Sequence, residues 1–261
     1  MGRSMRRVRV IPTLLLDGEG IVKTVKFSKP RYIGDPINSV RLFNEKEVDE
    51  LFFLDITATP NKQVPNYDLI AAIASECFMP LAYGGGITTL AQIDRLFTLG
   101  IEKIVLNSAI HDKPTLIEQA SKKYGAQAIV ASIDVKKGLF GGYKVLTRSG
   151  KKNTHQSPAA VAVDAQRAGA GEILLQSIDK EGTFTGFDIP VIKQIANTVE
   201  LPVVASGGAS TMDDFKHAIN LGGASAVAAG SMFVYQGVHN AVLINYPSQK
   251  DLVEGLYSKL Q

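Results

Sequence analysis

Short apolar segments alternate with amphipathic segments along the whole chain. The apolar segments carry Val, Ile, Leu, Phe or Ala at most positions, which is typical of strands buried on both faces of a parallel sheet. In the segments between them, apolar residues recur every three or four positions, which indicates helices that cover the sheet. Eight strands are predicted, in the segments RVRVIPTLLL, ELFFLDIT, MPLAYGG, KIVLNS, QAIVASIDV, EILLQSID, PVVASGG and SAVAAGS.

Each predicted strand is followed by a segment with helical periodicity, and the last of these is QKDLVEGLYSKL. Eight strand–helix units in a chain of 261 residues fit a closed (β/α)8 barrel, or TIM barrel. A doubly wound sheet would need fewer strands and a clearer glycine fingerprint, so it is less favoured. We therefore expect one α/β domain that spans residues 1–261.

An internal repeat supports the barrel. The segment GGITTLAQIDRLFTLG at 85–100 aligns without gaps with GGASTMDDFKHAINLG at 207–222, a spacing of 122 residues. The same spacing separates Glu50 from Glu172 in two of the predicted strands. Because one spacing relates two separate regions, the sequence predicts a barrel built from two similar half-barrels.

Composition excludes several classes of protein. The net charge of +3 is too small to indicate a nucleic-acid partner, and no apolar run is long enough to cross a membrane. The single cysteine, Cys77, excludes an internal disulfide and fits a cytoplasmic protein. The histidines show no metal-ligand spacing, so neither a metal nor a cofactor is predicted.

Glycine-rich strand ends occur twice, half a barrel apart. They are YGGGI at 83–87 and SGGAS at 206–210, and each precedes a small polar strand end, NSA at 107–109 and GSM at 230–232. Glycine lets backbone N–H groups approach a phosphate closely, and a helix N-terminus adds a favourable dipole. The pair predicts a ligand with a phosphate at each end, although glycines required only for tight turns remain the alternative.

Carboxylates follow three of the predicted strands, where barrel enzymes hold their catalytic groups. Asp134 ends the fifth strand, and each of these carboxylates could act as an acid or base or could cap a loop. The others are Asp55 after the second strand and Asp179 and Glu181 after the sixth.

Four further charged residues begin strands instead of ending them. From the residues alone, solvated side chains are the favoured interpretation, because charges inside a barrel are costly unless they are paired. If they point inward, two cations and two anions would form a ring on the barrel floor. The four are Arg9, Glu50, Lys103 and Glu172.

The motifs together resemble one enzyme family, the HisF-type cyclase subunit of imidazole glycerol phosphate synthase. The resemblance covers nearly the whole chain and rests on GDP at 34–36, DELFFLDITAT, YGGGI, LNSA, IDVK, GAGEILLQSIDKEGTFTGFD and PVVASGGA. It implies a half-barrel-duplicated (β/α)8 fold that binds a ribosyl bisphosphate. It also implies a HisH-type glutaminase docked at the N-terminal barrel face, whose ammonia passes through the barrel to the substrate.

The resemblance also implies roles for individual residues. Asp134 matches one of the family's two catalytic aspartates, and Lys23 matches its lysine after the first strand. The four charges on the strand starts match the family's ammonia gate, which reverses the preference for solvated side chains. The phosphate-binding residues implied are Gly85, Gly86 and Asn107 at one end, and Gly182, Thr183, Gly208, Gly230 and Ser231 at the other.

The first predicted strand departs from the family. Aligned without a gap, IPTLLLDGEG places Leu15 where the family has its other catalytic aspartate. Asp17 lies two residues further on the same face, about 6.6 Å away at about 3.3 Å per residue. We therefore expect that Leu15 has replaced the acid and that Asp17 is at best a poor substitute.

Three functions remain open at this point. The leading hypothesis is a barrel that delivers ammonia to a phosphorylated substrate for sugar amidation, as in the family branch that accompanies bacterial surface-polysaccharide pathways. The second is an authentic cyclase of histidine biosynthesis in which Asp17 acts from a shifted strand end. The third is a non-catalytic subunit that binds a phosphorylated ligand and switches on a glutaminase.

Overall fold

The predicted barrel is confirmed. The structure is a computed structural model that describes residues 7–138, 141–237 and 239–260. Eight parallel strands pair in chain order, and the first also pairs with the last, which closes the sheet on itself. The strands are β1 (Arg9–Asp17), β2 (Leu51–Asp55), β3 (Leu81–Gly84), β4 (Lys103–Leu106), β5 (Ile129–Lys137), β6 (Glu172–Ser177), β7 (Val203–Ser206) and β8 (Ala226–Ala229).

One helix of seven to ten residues separates each strand from the next, and an eighth follows β8. Most begin at a side chain that accepts a backbone N–H bond from the first turn, as N-caps do; the caps include Asp35, Ser157 and Ser248. The helices are α1 (Pro36–Glu45), α2 (Tyr67–Glu76), α3 (Leu90–Thr98), α4 (Thr115–Tyr124), α5 (Pro158–Arg167), α6 (Ile189–Ala196), α7 (Met212–Asn220) and α8 (Gln249–Gly255).

Shorter strands and helices lie in the loops between the barrel strands and the main helices. Two hairpin strands, Gly20–Val25 and Ser28–Gly34, continue β1 above the barrel, and Tyr143–Thr147 with Lys152–Asn153 form an antiparallel extension of β5. Short helices directly follow β4 and β8. The remaining elements are the helices Ser108–Asp112 and Ser231–Val234, the 3₁₀ turns Ala126–Ala128 and Tyr257–Lys259, and the strands Tyr235–Gln236 and Ala241–Val242.

Apolar side chains fill two regions. The larger lies between the strands and the surrounding helices, and the smaller lies inside the barrel. Among the described residues, no helix has the length and apolar character needed to span a membrane. The interior cluster consists of Ile11, Phe52, Ala82, Val105, Val130, Leu174, Val204, Ala226 and Ala228.

The two halves of the barrel repeat each other closely, as predicted. Helices α3 and α7 begin 122 residues apart, each with a capping box, at Thr89 and at Thr211. The short helices after β4 and β8 start from matching backbone angles, φ −116° and ψ −80° at Asn107 and φ −110° and ψ −71° at Gly230. These matches make it possible to compare equivalent positions in the two halves.

Candidate active site

A cavity of about 480 Å³ opens where the strands end at their carboxyl termini. This is the face on which barrel enzymes assemble their active sites. Every barrel strand, or the residue directly after it, contributes to the lining. The strand-end lining residues are Thr13, Leu15, Leu54, Asp55, Gly84, Val105, Leu106, Ser132, Asp134, Leu174, Gln176, Ser206 and Gly230.

Asp134 projects from β5 into this cavity and is buried, with 8% of its surface exposed. Burial raises the pKa of Asp134 to about 7, although hydrogen bonds from Ser132 and Asn107 favour its charged form. The Ser132 Oγ donates to the carboxylate over 3.4 Å. A carboxyl group that titrates near neutral pH is suited to give and to take protons.

Leu15 occupies the position in the first half-barrel that Asp134 occupies in the second. Leu15 is paired with Leu54 of β2. Asp134 is paired with Gln176 of β6. Because Leu54 and Gln176 are separated by the repeat spacing of 122 residues, the two strand positions are equivalent. The structure therefore places a leucine in the first half-barrel at the position that an aspartate occupies in the second.

Asp17 lies away from this position. It is exposed at the end of β1 and pairs with Gly20 across the tight turn of the hairpin. It is not among the residues that line the cavity. Because the chain turns back directly after Asp17, the structure leaves this carboxylate at the exposed end of the strand and does not bring it together with Asp134.

Lys23 reaches the cavity from the hairpin strand after β1 and is buried. Its Nζ donates to the carbonyl oxygen of Thr13 at 3.2 Å and lies 3.8 Å from Glu181 Oε1. Burial lowers the pKa of Lys23, and the Glu181 carboxylate opposes this change. Gly230 makes the space, since a Cβ at that position would overlap the Lys23 Nζ.

Glu181 is the second interior carboxylate of the cavity. Its Oε2 accepts a hydrogen bond from Gln176 Nε2 at 2.8 Å, and its surface is 7% exposed. From the sequence, Glu181 was one of several possible acids or bases on the loops and was not distinguished from Asp179. The signal that could have selected it is its position in SIDKEGT, four residues after the buried strand end, where a loop can fold back over the barrel.

The other two carboxylates of the predicted set hold loops in place. Asp55 Oδ1 accepts from the backbone N–H groups of Thr57 and Ala58. Asp179 accepts from the backbone N–H of Lys137 at 2.7 Å. Both therefore act in the loop-ordering role that the sequence left open as an alternative.

The predicted phosphate-binding residues separate into two groups. Gly85, Gly86 and Asn107 line the cavity, and both glycines have positive φ, +124° and +69°. The Gly86 N–H donates to Thr59 Oγ1 at 3.1 Å, so this amide already has a partner. From the other end only Gly230 borders the cavity; Gly182, Thr183, Gly208 and Ser231 are absent from its lining.

The four charges on the strand starts form a closed ring across the barrel floor. The Arg9 guanidinium contacts both glutamates, Glu50 and Glu172. Lys103 Nζ also contacts both, at 2.7 Å and 3.1 Å. The glutamate side chains are 3% and 6% exposed. Each charge is thus paired with two opposite ones, which offsets the cost of burying it.

Comparison with known proteins agrees with this architecture. A family model described as histidine biosynthesis protein matches residues 9–240. A protein of Pseudomonas aeruginosa, provisionally named imidazole glycerol phosphate synthase subunit hisF2, is 49% identical over 251 residues, which cover 96% of this chain and 100% of that protein. The chain belongs to the HisF-type cyclase subunits of imidazole glycerol phosphate synthase.

Further relatives of this HisF-type chain carry similar provisional names. A subunit HisF from Leptospira borgpetersenii is 46% identical over 248 residues, covering 95% of this chain and 98% of that protein. A subunit hisF3 from Vibrio vulnificus is 44% identical over 253 residues, covering 97% of each. The predicted family is confirmed, and the chain spans essentially the full length of these relatives.

Proposed function

We propose that this HisF-type barrel receives ammonia from a glutaminase partner and delivers it to a phosphorylated substrate in a sugar-amidation reaction. The observation that carries the proposal is the asymmetry between Leu15 and Asp134 at equivalent positions of the two half-barrels. One acid of the cyclase pair is replaced by a leucine, while the charged ring and the cavity are retained. A barrel that kept ammonia delivery and changed its chemistry would have this combination.

The ring and the barrel interior support the passage of ammonia. Between the ring and the cavity lie apolar side chains, among them Ile11, Ala82 and Ala226. Neutral ammonia can cross such an interior, whereas an ammonium ion would have to lose its hydration. The glutaminase would dock at the N-terminal face, where the ring lies. The relatives' names as synthase subunits favour such a partner.

The cavity would hold the phosphorylated substrate. Gly85, Gly86 and Asn107 would bind one phosphate, with Gly86 exchanging its bond to Thr59 for the anion. Gly182, Thr183, Gly208, Gly230 and Ser231 would bind a phosphate at the opposite end. With the substrate between them, Asp134 would transfer protons at the reacting centre, and Lys23 would supply a positive charge or, when deprotonated, a base.

The alternative is an authentic cyclase of histidine biosynthesis. The presence of Asp134, with its pKa near 7, in the cavity of a HisF-type barrel favours this function. It would require Asp17 to move from the exposed hairpin turn into the cavity, or require Asp134 to act without a second aspartate. Loss of one acid–base group typically costs a factor of about 10² to 10⁴ in rate.

Cyclase turnover with ammonium salt and the family's bisphosphate substrate separates the two functions, since ammonium salt removes the need for a partner. We expect the wild type to turn over at least about 100-fold below ordinary enzyme rates, and Leu15→Asp to gain activity. Leu54→Asp is the matched control, because it adds an acid to the same cavity in the neighbouring strand. Ordinary turnover by the wild type would favour the histidine-pathway cyclase.

Association with a glutaminase tests the delivery function separately. We expect a HisH-type subunit from the same organism to bind the full chain and to hydrolyse glutamine faster in its presence. If the glutaminase rate is the same with and without the full chain, the proposal is refuted. Asp134→Asn addresses the non-catalytic alternative: it should leave glutaminase activation intact under every hypothesis, but should abolish product formation only if the barrel itself is catalytic.

A further inference from the structure

The hairpin that follows β5 lies across one edge of the cavity. Its tip is tied to two other loops: Ser149 Oγ donates to the carbonyl oxygen of Ile56 at 2.6 Å, and the backbone N–H of Arg148 donates to Ser108 Oγ at 3.2 Å. The tip therefore bridges the loops after β2 and β4, on the side of the cavity that holds Gly85 and Asn107.

The backbone of the tip is in an uncommon conformation. Arg148 and Ser149 both have positive φ, 55° and 56°, although neither is glycine. Non-glycine residues occupy this region only where the surrounding structure holds them there. Arg148, at the turn of this hairpin, contributes to the cavity lining together with Ser149.

The guanidinium of Arg148 is only partly satisfied. Its Nη2 contacts Asp112 Oδ2 at 3.3 Å, and 43% of the side chain is exposed. Its Nε, by contrast, is buried and has no hydrogen-bond partner among the described residues. A buried N–H of a charged group without an acceptor is costly, so such groups are normally paired.

The charged side chains around this end of the cavity include one more cation than carboxylates. Three cations line it, Lys62, Lys113 and Arg148, against two carboxylates, Asp55 and Asp112. The Asp55 Oδ1 already accepts backbone N–H bonds from its own loop. Asp112 is shared between Arg148 and Lys152 of the hairpin, so it compensates one charge at most.

We propose that Arg148 is a phosphate-binding residue. Its side chain would turn so that the buried Nε faces the cavity, and Nε and an adjacent guanidinium N–H would then donate to one phosphate of the substrate at the Gly85–Asn107 end. The proposal rests on the proposed function, in that it names a further ligand of that phosphate. Arginine presents N–H donors in a planar fork that matches two oxygens of a phosphate. The contact with Asp112 keeps the guanidinium at the edge of the cavity. The hydrogen bonds from Ser149 Oγ and from the Arg148 N–H hold the backbone of the hairpin tip.

Binding of ribose 5-phosphate, a phosphomonoester probe, tests the inference by calorimetric titration at fixed ionic strength. Arg148→Gln should weaken binding about 10- to 100-fold, the range for loss of a hydrogen bond to a charged group. Arg148→Lys keeps the charge but removes Nε and should recover only part of the loss. Lys152→Gln is the matched control: it removes one charge and one Asp112 contact, but Lys152 is absent from the lining of this cavity.

We expect Lys152→Gln to change the affinity less than about threefold, as an exposed charge at a distance does. Equal losses of affinity in Arg148→Gln and Lys152→Gln would mean that only the general positive charge matters, and this would overturn the inference. Unchanged affinity in Arg148→Gln would also overturn it. If the wild type binds no probe, the inference and the phosphate site both fail. Glutaminase activation by the same variants then shows whether ammonia delivery stands independently.

Discussion

The ammonium group of Lys23 and the carboxamide nitrogen of Asn107 make equivalent contacts in the two halves of the barrel. Lys23 Nζ donates to the carbonyl oxygen of Thr13 at 3.2 Å, and Asn107 Nδ2 donates to that of Ser132 at 3.0 Å. The Thr13 carbonyl lies two residues before Leu15, and the Ser132 carbonyl lies two residues before Asp134. The duplicated scaffold thus keeps a donor at the same place and changes the chemistry beside it.

Gly230 should be required mainly because of Lys23. Its φ of −110° suits any residue, so Gly230→Ala adds no backbone strain, but the new Cβ would overlap Lys23 Nζ. We expect a loss of about 1–3 kcal/mol in the free energy of unfolding, as overpacking gives. In a Lys23→Ala background the same change should cost clearly less, because only the Thr13 carbonyl oxygen, 3.0 Å from the new Cβ, remains close. Denaturant titration of the four proteins checks this, and an equal cost in both backgrounds would contradict it.

Asp134 should make stability depend on pH between about 4 and 7. Its pKa of about 7 in the folded chain lies above the value of about 3.9 in an unfolded one. The folded state therefore keeps a proton that the unfolded chain releases, so stability falls as pH rises through this window. We expect Asp134→Asn to be more stable than the wild type at pH 8, by about 4 kcal/mol at most, and equal to it near pH 4.

Denaturant titrations of both proteins across this pH range provide the measurement. Two stability curves that run parallel from pH 4 to pH 8 would show that Asp134 is ionised in the folded chain at neutral pH.

Glu181 should determine how readily Lys23 loses its proton. Burial lowers the pKa of Lys23 and Glu181 opposes this, so Glu181→Gln should lower the Lys23 pKa further. Gln176→Ala, which removes a hydrogen bond to Glu181 but keeps the carboxylate, is the control and should have a smaller effect. The pH dependence of Lys23 acetylation, followed by mass spectrometry, gives the pKa directly. An unchanged or raised value in Glu181→Gln would refute the assignment.

The floor ring should contribute more to stability than a surface ion pair does. Arg9→Ala leaves two nearly buried glutamates facing Lys103 alone, and we expect a loss of about 2–3 kcal/mol. The loss should be smaller than for a fully buried ion pair, because the Arg9 side chain is 33% exposed. Arg41→Ala removes the exposed pair with Glu76 and should have a much smaller effect on stability, because both groups are solvated. Similar losses in both variants, measured by thermal unfolding, would mean that the ring is not specially stabilising.

The fold was predictable because the strands are apolar on both faces. A segment such as ELFFLDIT has few alternatives to a buried strand, and the repeat spacing of 122 residues fixed which strands are equivalent. Near Asp17 the alternation indicated only the face of the side chain; the structure was needed to show that this carboxylate lies outside the cavity. The antiparallel hairpin at Gly18 turns the chain back, and glycine patterns alone do not show where a strand leaves the barrel.

Strand alternation could place a site residue only where that residue lies on a barrel strand, whereas Lys23 and Asn107 were placed by the family resemblance. Asp134 could be placed because its strand determines its direction. The directions of Glu181 and Arg148 depend on loop backbones, and Arg148 in particular on a left-handed conformation that its residue type disfavours. The ring pairing of Arg9 likewise followed from the family resemblance, since the sequence alone favoured solvated side chains.

The charged ring also bears on how the chain folds. Arg9 and Glu172 are 163 residues apart in sequence, and their strands are not neighbours in the sheet. Closing so long a loop costs entropy, so we expect this contact to form late, as the sheet closes into a cylinder. Its assembly therefore coincides with completion of the barrel, and the proposed ammonia entrance does not exist on a half-folded chain. A newly made subunit would be unable to accept ammonia until its last strands had docked.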